Sequence, residues 1–288
     1  MASKQARIWS HRTGSLKLGG RTLIMGVLNV TPDSFSDGGR YFSAKDAIQR
    51  ALSLQEAGAD ILDMGAESTR PGSLPVSADA QIERLLPVLE GLGDRIRIPV
   101  SVDTSSAQVA GTCIAAGASI VNDISGFRND GSLPAVCAQA RCGVVLMHIK
   151  GMPKDMQDNT DYSDLLAEVS ASLRESCKIA VAAGIPRESI VVDPGIGFGK
   201  NFRQNYLLLG KLRALQGLAQ GVLVGTSRKA FTGEFSGLPA ESRQYPTAAT
   251  VAISILNGAD IVRVHDVYEM KQVRDICDRY REVNTPNA

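Results

Sequence analysis

Gly58-Ala59-Asp60-Ile61 recurs in close variants as Gly117-Ala118-Ser119-Ile120 and Gly258-Ala259-Asp260-Ile261. In each copy the glycine closes an amphipathic stretch and the residues after it open an apolar, β-branched run, which is how a helix ends and a strand begins. The repeated unit is helix, glycine cap, strand. The copies are too short and too unevenly spaced for a solenoid. Working outward, eight apolar runs alternate with helical patterns, at residues 22–29, 60–67, 98–103, 119–123, 144–148, 189–193, 222–226 and 260–265. Most are rich in Val, Ile and Leu without clean alternation, as parallel strands covered on both faces should be.

The intervening segments carry helix marks. Ser43-x-x-Asp46 resembles a capping box ahead of the apolar set Ala47, Ile48, Ala51 and Leu52. Ile82, Leu85, Leu86 and Leu89 follow helical spacing, and Pro87 is expected to kink or shorten that helix. Leu165, Leu166, Val169 and Leu173 mark a longer helix, and Met270, Val273, Cys277 and Tyr280 mark the last. These stripes read as core packing. Eight βα units in a chain of 288 residues, with no linker between them, predict an α/β fold, a (β/α)8 TIM barrel over residues 22–288. A doubly wound open sheet is the alternative, although no strand is followed by G-x-G-x-x-G with an acid downstream. Residues 1–21 read as a tail and a short β-hairpin outside the main fold, with Gly19-Gly20 as the turn.

In such a barrel the active site forms where the strands end. The runs end on Asn29, Asp63 with Glu67, Asp103, Asn122 with Asp123, His148, Asp193, Ser227 with Lys229, and Arg263 with His265. One polar residue at a strand end is a cap or a turn. Eight such ends on one rim point to a site. Asp103, Asn122 and Asp193 can accept hydrogen bonds from a donor-rich heterocycle, while Arg70, Lys229, Arg263 and His265 can hold an anion. The loop Asp193-Pro194-Gly195-Ile196-Gly197-Phe198-Gly199-Lys200 sets a carboxylate, an aromatic ring and a lysine around three glycines, a shape suited to a flat polar ligand.

Composition bounds the remaining classes. With 30 acids against 31 bases, the net charge of +1 gives no general reason to bind nucleic acid. The five cysteines contain no C-x-x-C pair, and no serine, histidine and acid order or H-E-x-x-H motif is present, so zinc and hydrolase readings lose ground. No apolar run approaches the ~20 residues of a membrane span. A reduced, soluble, cytoplasmic chain is expected.

Five segments in order carry a resemblance: Asn29-Val30-Thr31-Pro32-Asp33-Ser34-Phe35-Ser36-Asp37-Gly38-Gly39, Ser68-Thr69-Arg70-Pro71-Gly72, the 193–200 loop, Ser227-Arg228-Lys229, and Arg263-Val264-His265-Asp266. Together they resemble the dihydropteroate synthases, from about residue 22 to the C-terminus. The resemblance implies a folate-pathway transferase that joins p-aminobenzoate to a dihydropterin methyl diphosphate. By position, Asp193, Asn122, Asp103 and Lys229 would hold the pterin, with Met147 and Phe198 lining the pocket. Asn29 would help hold Mg2+ against the diphosphate, which Thr69, Arg70, Arg263 and His265 would cradle. Phe35, Thr69, Pro71 and Lys229 would form the p-aminobenzoate pocket, under closing loops at 31–39 and 68–72. Asp103, Lys229, Arg263 and His265 would carry the chemistry.

The resemblance also implies a homodimer through outer helices on one side. Ala230 stands where the family often has Ser, so that position offers p-aminobenzoate only a backbone N–H. His148 is read as a packed or supporting histidine, Arg228 as a brace of its strand end, and Glu67 as a supporting group. Two other readings share parts of the pattern. A pterin-binding barrel that passes a methyl group from a methylated folate to a corrinoid protein would not need the Ser-Thr-Arg-Pro-Gly loop or the Arg263 and His265 pair. An inactive regulatory paralogue would be expected to have lost one of the charged residues.

Overall fold

The computed structural model describes residues 7–31 and 44–284. Eight parallel strands form a closed barrel: β3 (Leu23–Asn29), β4 (Ile61–Gly65), β5 (Val100–Asp103), β6 (Ile120–Asp123), β7 (Gly143–Met147), β8 (Ile190–Asp193), β9 (Gly221–Gly225) and β10 (Ile261–Val264). Each matches one of the apolar runs to within about two residues. β10 pairs with both β3 and β9, which closes the sheet and rules out the open alternative. Around it lie α1 (Ala44–Glu56), α2 (Ala78–Leu92), α3 (Ala107–Ala115), α4 (Leu133–Gln139), α5 (Leu165–Ala182), α6 (Phe202–Leu209), α7 (Gln244–Leu256) and α8 (Val267–Asn284). Among the described residues no helix is long and apolar enough to cross a membrane.

The recurring tetrapeptide has a physical role. Gly58, Gly117 and Gly258 take φ values of +99°, +114° and +110°, the left-handed turn that ends each helix. The polar residue two places on then starts the next ladder. Asp60 and Asp260 accept the backbone N–H of Ile24 (2.8 Å) and Val222 (3.1 Å) in neighbouring strands. The same residues donate their own N–H groups to Ile24 and Val222, both at 2.8 Å. Ser119 makes the corresponding backbone bond to Val100 at 2.9 Å.

Most helix faces pack as the spacing requires, with two departures. α2 continues for 15 residues through Pro87. Proline costs about 3 kcal/mol in a helix interior, but Leu85, Val88, Leu89 and Leu92 are buried, each contributing roughly 1.5–3 kcal/mol. In α8, Met270 and Cys277 are buried while Tyr280 is 57% exposed. At 3.6 residues per turn Tyr280 has rotated ~80° around the axis from Met270. Ser43, expected to cap α1, lies outside the described residues, as does the 32–39 part of the first loop with Phe35.

The N-terminal hairpin is present, with β1 (Arg7–His11) paired antiparallel to β2 (Gly14–Leu18). Its turn is Arg12-Thr13. Gly19-Gly20 instead links the hairpin to β3, because the register joins His11 to Gly14 and leaves the glycines beyond the ladder. The hairpin forms its own two-stranded sheet, yet it covers the barrel floor. Trp9, fully buried, and Leu18 pack with Leu23, Met25, Ile61, Ile120, Val145, Val191, Leu223 and Ile261. The Trp9 indole N–H donates to the Ser189 carbonyl at 3.0 Å.

Candidate active site

In a strand, residues two apart face the same side. Two residues above the apolar floor, the inward positions therefore become Asp63 above Ile61, Asn122 above Ile120, Met147 above Val145, Asp193 above Val191 and Arg263 above Ile261. This layer opens to the rim where the strands end. Asp103 joins it through parallel pairing with Asn122 and Gly65, and Gly65 pairs in turn with Asn29.

The centre is a chain of four polar side chains. Asp63, fully buried, accepts from Arg263 Nε at 2.6 Å and from Asn122 Nδ2 at 3.2 Å on one carboxylate oxygen. Arg263 also donates to Asp103 at 2.8 Å. The second Asp63 oxygen has no hydrogen-bond partner. Asp63 was legible in the sequence as a strand-end acid, but its linking role depends on barrel closure. Burial raises the Asp103 carboxyl to about 7 against the pull of Arg263, with repulsion from Asp63, Asp123 and Glu67. Burial works against the charge on Arg263, yet Asp63 and Asp103 hold its pKa above the ordinary range.

Across the mouth, the 193–200 loop turns tightly after β8. Gly195 N–H donates to Asp193 Oδ1 at 2.7 Å, as the Asp-Pro-Gly turn predicts. Asp193 is buried, which raises its carboxyl to about 6 despite the Gly195 N–H and Lys229. Lys229 Nζ lies 3.9 Å from the centroid of the Phe198 ring, a cation–π contact. Burial, with repulsion from Arg263, lowers Lys229 to about 8. Its stem passes close to Gly197, where an added Cβ would meet Lys229 Cδ at 3.2 Å. Phe198 and Met147 share a small apolar cluster with Met156.

His265 follows β10, with its Nδ1 2.9 Å from Ser227 Oγ. Burial and the neighbouring cations Arg263, Arg228, Lys229 and Arg70 lower it to about 3. At neutral pH it is therefore an uncharged N–H donor. Arg228 braces its strand end through two bonds to Asp266, at 2.6 and 3.3 Å. Glu67 accepts from Val76 N–H at 3.2 Å and Gln81 at 3.0 Å, which ties the β4–α2 loop to its helix.

The residues expected from that loop are less buried than the centre, although Arg70 lies near enough to His265 to affect its charge. Thr69 is half-buried, and Arg70 and Pro71 are exposed. The loop rests on the segment after β7 through Gly72 N–H to the Pro153 carbonyl at 3.0 Å. Thr69 and Glu67 line a separate cavity of about 240 Å3 with Gln81 and Ser105. Asn29 is half-buried at the end of β3. The sequence placed Lys200 among the groups facing a ligand, whereas the structure buries it beneath the 195–198 turn. Its only advance signal was a lysine closing a glycine-rich loop.

Comparisons with known proteins cover nearly all of the chain. A family model for pterin binding enzymes matches residues 25–265. The dihydropteroate synthase of Bacillus subtilis (strain 168) is 43% identical over 274 residues, covering 95% of this chain and 94% of that protein. A crystal structure of the Yersinia pestis dihydropteroate synthase with a sulfonamide drug complex superposes with a TM-score of 0.89 at 39% identity, covering 96% of this chain and 100% of that one. The Xanthomonas albilineans dihydropteroate synthase with 4-aminobenzoic acid gives 0.88 at 37% identity, with 98% and 100% covered. With eight strands closed around an acid, amide and arginine centre, and with this identity along nearly its full length, the chain belongs to the dihydropteroate synthase family of pterin binding enzymes.

Proposed function

We propose that this barrel mouth condenses p-aminobenzoate with (7,8-dihydropterin-6-yl)methyl diphosphate, releasing diphosphate and giving 7,8-dihydropteroate. The observation that carries the reading is the pairing of two opposite charges, Asp103 and Arg263, between a heterocycle-accepting side and an anion-accepting side. Asp193 and Asn122 accept and donate along the polar edge of the pterin, and Lys229, stacked on Phe198, faces its carbonyl side. Met147 and Phe198 supply the apolar walls. Arg263, neutral His265, Thr69 and Arg70 receive the diphosphate, the last two from a loop that closes over it. Pro71, Thr69 and the Lys229 stem form the p-aminobenzoate wall.

The reaction separates charge before it makes a bond. The C–O bond between the methylene and the diphosphate breaks, its electron pair leaves on oxygen, and the methylene cation delocalises into the pterin. The arylamine lone pair then forms the C–N bond, and the resulting ammonium gives its proton to water or to the released diphosphate. Asp103 lies where negative charge favours the cation, and Arg263 lies where positive charge favours the departing anion. A fixed pair of this sense stabilises the separated state without reorganising. The arylamine attacks through its own lone pair, in keeping with a site whose buried histidine, lowered to about 3, is a weak base.

The donor set suits Mg2+ in one specific way. Among the described residues no group of three His, Cys, Asp or Glu side chains could cage a metal. Mg2+ commonly keeps waters and shares few protein oxygens with substrate phosphates. Asn29 at the rim is such an oxygen, so Asn29 and the diphosphate would hold the ion together. When bound, Mg2+ would neutralise charge on the leaving group.

A homodimer is supported by the exposed faces of α7 and α8, which pack side by side. Tyr245 on α7 and Tyr268, Ile276, Tyr280 and Val283 on α8 are all more than half exposed, and the α8 residues follow one stripe. Light scattering giving a monomer mass would contradict the dimer. The free, buried state of Cys113, Cys137, Cys142, Cys177 and Cys277 supports a cytoplasmic location. The test of the function is diphosphate release with the pterin diphosphate, p-aminobenzoate and Mg2+, omitting each in turn. Release that requires all three is expected; no release under any condition defeats the reading.

A further inference from the structure

Lys200 is 1% exposed, and its ammonium nitrogen meets three partners: the Gly195 carbonyl at 2.9 Å, the Phe198 carbonyl at 2.8 Å and His148 Nδ1 at 2.9 Å. An ammonium has three N–H donors and no acceptor, so these three partners saturate it. As the amine, the same nitrogen donates to both carbonyls and accepts from Nδ1–H of His148. Either protonation state keeps every contact, so the arrangement persists although burial lowers both groups, Lys200 to about 7.

The two carbonyls belong to the peptides that shape the heterocycle side of the mouth. Gly195 gives its N–H to Asp193 and its carbonyl to Lys200. Phe198 lies under the Lys229 ammonium and gives its carbonyl to Lys200. From the other side, His148 N–H donates to the Asp193 carbonyl at 2.9 Å. Gly195 also passes so close to His148 that an added Cβ would fall 1.9 Å from the His148 carbonyl oxygen, and its φ is +68°. The ends of β7 and β8 are thus locked together beneath the loop.

We propose that Lys200 and His148 are a positioning pair that sets Asp193 and Phe198 for the pterin, and so governs affinity for the heterocycle and not for the arylamine. This rests on the reading of the 193–200 loop as the heterocycle side of the site. Neither residue needs to touch substrate; both act through the carbonyls and the strand end.

The test uses Lys200→Met, which keeps length and removes the donors, with His148→Phe and His148→Asn, each checked for native far-UV circular dichroism. A pterin without the diphosphate is titrated by calorimetry, and KM is measured for both substrates. Loss of a buried charge-assisted contact predicts that Lys200→Met and His148→Phe weaken pterin binding by about tenfold or more, with a matching rise in KM for the pterin diphosphate. KM for p-aminobenzoate should stay within about twofold, because its pocket shares neither carbonyl. His148→Asn, which can offer an acceptor or a donor, should restore part of the affinity lost in His148→Phe. Should Lys200→Met fail to fold, the two His148 variants decide. Unchanged pterin affinity, or equal losses for both substrates, overturns the positioning role. A wild-type protein that binds no pterin overturns the heterocycle reading itself, and the proposal with it.

Discussion

The floor and the mouth of this barrel use the same strands two residues apart. β4 passes from Ile61 to Asp63, β6 from Ile120 to Asn122, β8 from Val191 to Asp193 and β10 from Ile261 to Arg263. Below, the side chains are apolar and plugged by Trp9; above, they are charged and one buried oxygen has no partner. The difference teaches where this fold spends stability. The floor is largely apolar, as a region that only has to stay closed can be, although the buried Ser101 hydroxyl of β5 has no partner. The mouth keeps carboxylates with raised pKa values beside a buried guanidinium, an arrangement that is costly until a ligand of complementary charge arrives.

The largest effect should come from breaking the floor. Trp9→Ala removes a fully buried indole and strands the Ser189 carbonyl, so a loss of about 3–5 kcal/mol is expected in denaturant unfolding. Turnover of the remaining folded protein at low temperature should be unchanged. Lost turnover with unchanged stability would mean that floor and mouth are not separable.

Next comes Asp103→Asn, which keeps shape and removes charge. Turnover should fall by roughly 10^2- to 10^3-fold, as when one preorganised electrostatic group is removed, with pterin affinity nearly unchanged. An unaffected turnover number would remove the charge role.

A smaller, diagnostic effect is expected from pH. Asp193 and Asp103 carry their negative charge and full acceptor capacity only when ionised, so kcat/KM should fall as pH drops through the range from about 7 to about 6. Lys229, lowered to about 8, should give the alkaline limb as its charge is lost above that pH. Asp63→Asn keeps an oxygen for Arg263 and Asn122 but removes the repulsion that raises Asp103. Its acid limb should therefore move to lower pH, with kcat/KM reduced about tenfold from the weakened charge-assisted contact. A limb that stays in place would detach Asp103 from the profile.

The smallest effect should come from Ala230→Ser. A restored hydroxyl at the start of the Ala230–Gly233 turn should lower KM for p-aminobenzoate by about fivefold, near 1 kcal/mol, and leave stability unaltered. No change would show that this position does not face the arylamine.

Much of the fold was legible because its signals are local. The glycine at each helix end, the β-branched runs and the polar residue at each strand end identify βα units within windows of a few residues. The hairpin turn was misplaced because Gly19-Gly20 has turn chemistry while pairing register chose Arg12-Thr13. Pro87 was expected to limit α2, but burial against the barrel outweighed it. Lys200 looked like part of a loop aimed at ligand, and burial beneath that loop is not visible in residue order.

The amino-acid sequence by itself determined the alternation of helix and strand and the set of acids, amides and cations at the rim. Only the tertiary structure decided who meets whom. Arg263 reaches Asp63 across 200 residues and Asp103 across 160, because β10 closes against β3 and brings the last strand beside the first. Local chemistry selects elements. The charge pairs and pKa values depend on burial and on partners that come together only once the barrel is closed.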